Sequence, residues 1–150
     1  METKLKGHTS QYYEVITKVE QTQDDGSLKK VKEVYTVEAL SFTEAEASIA
    51  KNIAATGVWE IVNIKPTPYR EVFLSDDAND DTFFKAKIEY ITIDEKTEKE
   101  KRTKVVFLIQ ASSIKTAQHY VEEIMGGTQI DYRNVAIVKT PVLDVFLHKD

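Results

Sequence analysis

Residues Thr67-Pro68-Tyr69-Arg70-Glu71-Val72-Phe73-Leu74 return as Thr140-Pro141-Val142-Leu143-Asp144-Val145-Phe146-Leu147, with Thr, Pro, Val, Phe and Leu identical and Glu exchanged for Asp. The offset is 73. Upstream, Glu38-Ala39-Leu40-Ser41-Phe42 corresponds to Gln110-Ala111-Ser112-Ser113-Ile114 at 72, and Tyr12-Tyr13-Glu14-Val15 to Phe83-Phe84-Lys85-Ala86 at 71. Conserved order and nearly constant spacing mean a tandem duplication. Whatever residues 12–74 fold into, residues 83–147 must fold into as well.

The pattern within each copy fixes the unit. Tyr13, Val15, Thr17 and Val19 alternate with polar residues, the period of a half-buried strand. Asp25-Gly26 then marks a hairpin turn, replaced in the second copy by the charged tip Asp94 to Lys99. Tyr35, Val37 and Ala39 share a face of the returning strand, as do Phe107, Ile109 and Ala111. Ser41 and Thr43, each followed by glutamate three residues on, open a helix through capping boxes. Phe42, Ala45, Ile49 and Ile53 give it an apolar stripe, matched by Ile114, Ala117, Val121 and Met125. Gly57 and Gly126-Gly127 sit where helix C-caps belong. A third strand runs over 59–65 and 132–139 before the proline breaks it.

The expected fold is therefore α+β, a pseudo-twofold tandem duplication of a ββαβ(β) unit. Two helices would pack on antiparallel or mixed sheet. Residues 1–11 read as a polar tail and 75–82, with four aspartates, as an exposed acidic linker. The two repeats, 12–74 and 83–147, are expected to form one compact domain. The short strands behind the prolines are candidates for exchange between halves, because a thin unit leaves an apolar face or a strand edge uncovered.

Composition excludes several classes of function. Hydrophobic residues at 41% rule out global disorder. Without cysteine there are no disulfides and no thiolate chemistry or ligation. The first ten residues lack an apolar stretch of signal-peptide type, and no apolar run reaches the length of a membrane span. A cytoplasmic protein is expected.

No catalytic or metal signature emerges, so neither an enzyme nor a cofactor is expected. A calcium loop started at Asp77 would put Thr82 at the glycine position and Ile88 at the glutamate position. His8, His119 and His148 have no ligand-type spacing. Glu71 and Asp144 are equivalent carboxylates, with neither nucleophile nor cofactor loop beside them in sequence.

Basic residues do concentrate in the hairpins: Lys29, Lys30 and Lys32 in the first, Lys96, Lys99, Lys101, Arg102 and Lys104 in the second. With Tyr12 and Phe83 heading neighbouring strands, these residues define a candidate nucleic-acid surface, cations on phosphates and rings on bases. The bland alternative is a charged edge that discourages aggregation, since Glu98 and Glu100 interleave with the lysines.

The stretches Tyr12-Tyr13-Glu14-Val15, Ala39 to Ala47 and Ser75-Asp76-Asp77 resemble an uncharacterised family, a domain of unknown function. Its members are small proteins of Bacteroidetes gut bacteria and their phages. The resemblance runs over essentially the whole chain, its specific part being the helix start. It implies an intracellular, phage- or mobile-element-linked context and carries over no catalytic residue. The leading expectation is a non-catalytic binding or assembly module for a protein partner or for self-association, with a nucleic-acid-binding accessory protein as the alternative.

Overall fold

The computed structural model describes residues 5–54 and 57–148. Along the chain run β1 (Leu5–His8), β2 (Tyr12–Thr22), β3 (Leu28–Glu38), α1 (Phe42–Ile53), β4 (Trp59–Pro66), β5 (Tyr69–Ser75), β6 (Thr82–Ile93), β7 (Glu100–Ala111), α2 (Ile114–Gly126), β8 (Asp131–Lys139) and β9 (Val142–Phe146). After β1 the order β-β-α-β-β occurs twice, an α+β chain. Tyr35 and Phe107 both lie on the second strand of their copy. Ser41 and Ser113 are both N-caps, each accepting the N–H three residues on at 3.1 Å. Such a bond stabilises a helix by about 1 kcal/mol.

The sheets do not follow the repeat boundaries. One compact unit, here the N-unit, holds β2, β3, α1, β4 and β9; the other, the C-unit, holds β1, β5, β6, β7, α2 and β8. Their strand orders are β4-β2-β3-β9 and β1-β5-β7-β6-β8. Each copy thus lends its last strand to the sheet of the other. β9 pairs with β3, and β5 with β7, in parallel; every other pairing is antiparallel.

The Thr-Pro motif marks the crossing. Thr67 donates both its N–H and its hydroxyl to the Tyr12 carbonyl, each at 2.9 Å. Thr140 does the same to the Phe83 carbonyl, at 2.9 and 2.8 Å. The following proline has no N–H for the ladder, so the third strand ends there and the chain leaves its own sheet.

In each unit the helix covers one sheet face. Ala45, Ile49 and Ile53 pack on Tyr13, Val15, Tyr35 and Val37. Ala117, Tyr120, Val121 and Met125 pack on Phe84, Ala86, Ile88 and Phe107. Burying one such large aliphatic side chain contributes roughly 1.5–3 kcal/mol. Phe42 and Ile114 depart from the expected stripe: as first helical residues they overhang the core and are 51% and 54% exposed. Gly127 caps α2 at φ −79°, so the helix ends without a left-handed residue. At the hairpin tips the left-handed residue is Gly26 at φ 83° and, 72 residues on, Glu98 at φ 58°.

Two expectations need correction. Residues 1–11 are not simply a tail, because Leu5–His8 form β1 on the edge of β5. Only one of its four residues is a large apolar one, so main-chain pairing rather than periodicity forms it. Nor is the linker uniformly exposed. Asp80 is 4% exposed and accepts hydrogen bonds from the Ser75 and Tyr120 hydroxyls, both at 2.5 Å.

Burial first, then the Asp80 bond, pushes the Tyr120 phenol up to about 12. An unfolded tyrosine ionises near pH 10. The stabilisation is therefore complete below pH 10 and is lost as pH rises through the folded value. Tyr120→Phe is expected to flatten the fall of melting temperature between about pH 10 and about 12. Tyr35 and Tyr90, also raised chiefly by burial, leave a residual slope. A profile identical to the parent's would mean that the Asp80–Tyr120 bond does not persist in solution.

Candidate functional site

The expected nucleic-acid surface divides. Tyr12 is 3% exposed and Phe83 2%, so neither ring is open for a base to stack on, and both leave the candidate set. Directly paired residues share a sheet face, which sorts the cations. Arg102 opposite Ile91 and Lys104 opposite Glu89 lie on the face away from α2, while Lys101 opposite Thr92 lies on the helix side and Lys99 stands at the hairpin tip just before β7. In the N-unit, Lys30 and Lys32 lie away from α1 and Lys29 on its side. Lys96 sits at a tip, its N–H bonded to Asp94 Oδ1.

The face of the C-unit away from α2 also carries Lys85, Lys87 and Arg133, which sequence reasoning missed. Lys85 and Lys87 were legible in the alternation of β6; Arg133 needed the register of β8. Glu89, only 7% exposed, organises them: Arg102 Nη1 lies 3.1 Å and Arg133 Nε 3.9 Å from its Oε1. Glu100 holds Arg102 from a second side at 3.4 Å. In the N-unit two lysines on the face away from α1 meet carboxylates, Lys30 with Glu60 at 3.7 Å and Lys65 with Glu14 at 3.0 Å.

Glu71 and Asp144 reveal a different asymmetry. In the C-unit β1 lies antiparallel on β5, with Leu5 opposite Ser75, Gly7 opposite Phe73 and His8 opposite Val72. Glu71 folds across this strand and accepts the Thr9 hydroxyl at 3.1 Å. That path passes over Gly7: a Cβ there would collide with Glu71 Oε2 and stand 2.7 Å from Phe73 Cε1. Glycine permits this close approach, and a side chain there would force the Glu71 carboxylate and the Phe73 ring to shift.

β9 occupies in the N-unit the place of β5 in the C-unit, yet among the described residues no strand lies on its outer side. Its bounds, Val142–Phe146, include no lysine, arginine or proline. Asp144 turns back and accepts the Val145 N–H at 2.8 Å. Phe146, stacked on Tyr35 at 5.2 Å, stays partly exposed, whereas its counterpart Phe73 is buried beneath β1.

Beside β1 and β5 lies a cleft of about 420 Å³ walled by Phe73, Tyr90, Phe107 and Met125, with Glu71 and Glu123 among its lining. Both carboxylates are engaged, Glu71 with Thr9 and Glu123 with His119 Nε2 at 3.1 Å. His148 Nδ1 lies 2.8 Å from Glu44 Oε1 in the N-unit. Among the described residues no group of three or more His, Asp and Glu side chains could hold a metal ion, and no helix is long and apolar enough to cross a membrane.

A family model described as "Domain of unknown function (DUF4494)" matches residues 11–148, which takes in both repeats and the linker between them. No curated protein and no solved structure matches the chain.

Proposed function

The chain belongs to the DUF4494 family, a domain of unknown function, and we propose that it is a non-catalytic binding module that takes an extended protein strand on the bare edge of β9. The observation that carries this reading is the unequal treatment of two equivalent edges: β1 covers β5, and among the described residues nothing covers β9. Natural proteins blunt open edges with lysine, proline or a covering segment. β9 carries one charge, Asp144, with Pro141 standing just before the strand, and no covering segment among the described residues. Adding a strand extends the main-chain ladder, each bond contributing about 0.5–1.5 kcal/mol net. Antiparallel pairing of two β9 strands centred on Asp144 would set like charges opposite each other. The favoured occupant is accordingly another protein, in a cytoplasmic setting linked to a phage or mobile element.

Selection of displayed peptides against the whole chain, followed by amide exchange on the complexes, tests this. Enriched peptides are expected to slow exchange within Val142–Phe146. Ligands that protect only the hairpins or helix faces, or a doubling of mass without any ligand, would refute it.

The alternative, nucleic-acid binding, is favoured by one observation: two arginines held on a nearly buried glutamate, beside three lysines, on the C-unit face away from α2. Its signature would be counterion release, a logarithmic salt slope of about 0.7 per neutralised phosphate for single strands. Lys87→Ser with Lys104→Ser should then weaken oligonucleotide binding in fluorescence anisotropy across all sequences. The slope should flatten by about 0.7 for each phosphate that is no longer neutralised. No binding at low salt would remove this alternative.

A further inference from the structure

The chain contains its own example of what an exchanged-strand edge accepts. β1 lies on β5 through a short motif, Leu5-Lys6-Gly7-His8-Thr9, in which each of three features answers a feature of the edge. Gly7 leaves room for Phe73 and for the Glu71 side chain, and Thr9 gives Glu71 a donor. Leu5, only 7% exposed, joins the core that contains Phe73 and Phe107. At the repeat offset of 73, Val72, Phe73 and Leu74 become Val145, Phe146 and Leu147, and Glu71 becomes Asp144. The β9 edge therefore presents the same apolar order and the same carboxylate one methylene shorter, with the aromatic ring partly uncovered.

Building on the β9 reading above, we infer that the ligand is an extended segment of a partner protein patterned like β1. It runs antiparallel to β9. A glycine lies opposite Phe146, a large apolar residue two positions before it, and a hydroxyl or ammonium donor two positions after it reaches Asp144. The glycine follows the β1 pattern, in which a Cβ opposite Phe73 would meet the Glu71 carboxylate first and the ring at 2.7 Å. The donor answers Asp144, whose carboxylate must exchange the Val145 N–H for the incoming strand. β1 is engaged on β5 and, among the described residues, no strand lies on β9, so the N-unit edge is open to a strand from a partner.

The probe is a fluorescent peptide of residues 4–11, Lys4 to Gln11, titrated into the whole chain, with a second peptide bearing leucine in place of glycine. The first is expected to bind and to slow amide exchange within Val142–Phe146 while β5 is unchanged. The leucine peptide should bind at least about tenfold more weakly, a difference of about 1.4 kcal/mol. Asp144→Asn should weaken the first peptide while leaving the melting temperature of the free chain within a few degrees. Equal affinity of the two peptides, with β9 protected by both, overturns the β1 pattern and leaves β9 as the binding edge. Protection by neither peptide, when display-selected peptides do protect β9, also overturns the pattern alone. If neither these nor selected peptides protect β9, the edge reading itself fails.

Discussion

Fragments 1–74 and 83–150 are each expected to lack a cooperative thermal transition, and their equimolar mixture to recover one. The first fragment keeps β2, β3 and α1 but loses β9 from that sheet, and carries β5 with no β7 to pair with. The second loses β1 and β5 and carries a β9 that has no β3. Val72 is fully buried and Phe73 is 7% exposed in the C-unit; Val142 and Val145 are 6% and 8% exposed in the N-unit. Removing two such side chains from a sheet costs roughly 3–6 kcal/mol at 1.5–3 kcal/mol each. A whole domain has only about 5–15 kcal/mol of stability to lose. Circular dichroism melts of each fragment and of the mixture measure this directly. A single monomeric fragment melting cooperatively near the temperature of the whole chain would contradict the strand exchange.

Gly7→Val is expected to release β1 and to change the peptide stoichiometry from one to two per chain. A branched side chain at this position would force both the Glu71 carboxylate and the Phe73 ring out of their places. Releasing β1 to relieve the clash gives up the Thr9–Glu71 bond and the burial of Leu5, roughly 2–4.5 kcal/mol together. Amides of Val72 and Phe73 should lose protection, and β5 should become a second bare edge beside β9. Titration with the Lys4–Gln11 peptide, read by calorimetry, should then saturate at two per chain instead of one. Retention of one site with β5 still protected would mean that β1 tolerates a side chain there, and the close approach would lose its significance.

Much of the fold was written locally. The alternation in β2 and β6 and the serine caps are signals within one or two turns of chain, the 71–73 offset repeats them in both copies, and each reappears in the structure. What was hidden depends on distant partners. Val-Phe-Leu reads the same in both copies, so no local pattern says which sheet β5 or β9 will join. β1 has one large apolar residue and a glycine, and becomes a strand only because β5 offers it an edge. The aspartate run of the linker conceals Asp80, whose burial depends on the Tyr120 hydroxyl arriving from forty residues away. Alternation promised that one ring of each aromatic pair would face a helix, with Tyr13 and Phe84 doing so; it could not reveal that Tyr12 and Phe83 are closed off as well. The open edge of β9 was legible only as a general need for cover, since seeing which edge stays bare requires the strand order.

Main-chain pairing at the β9 edge leaves a signature that no side-chain pocket shares. In an antiparallel ladder, successive residues of a strand point their N–H groups alternately toward and away from a given neighbour. A set of Lys4–Gln11 peptides, each N-methylated at one backbone position, can therefore be ranked by affinity for the whole chain. Strand addition predicts a period of two: methylation at one residue abolishes binding, at the next it is tolerated, and so on through the segment opposite Val142–Phe146. Affinities that fall off smoothly, or that depend only on which side chains are present, would contradict strand addition at β9.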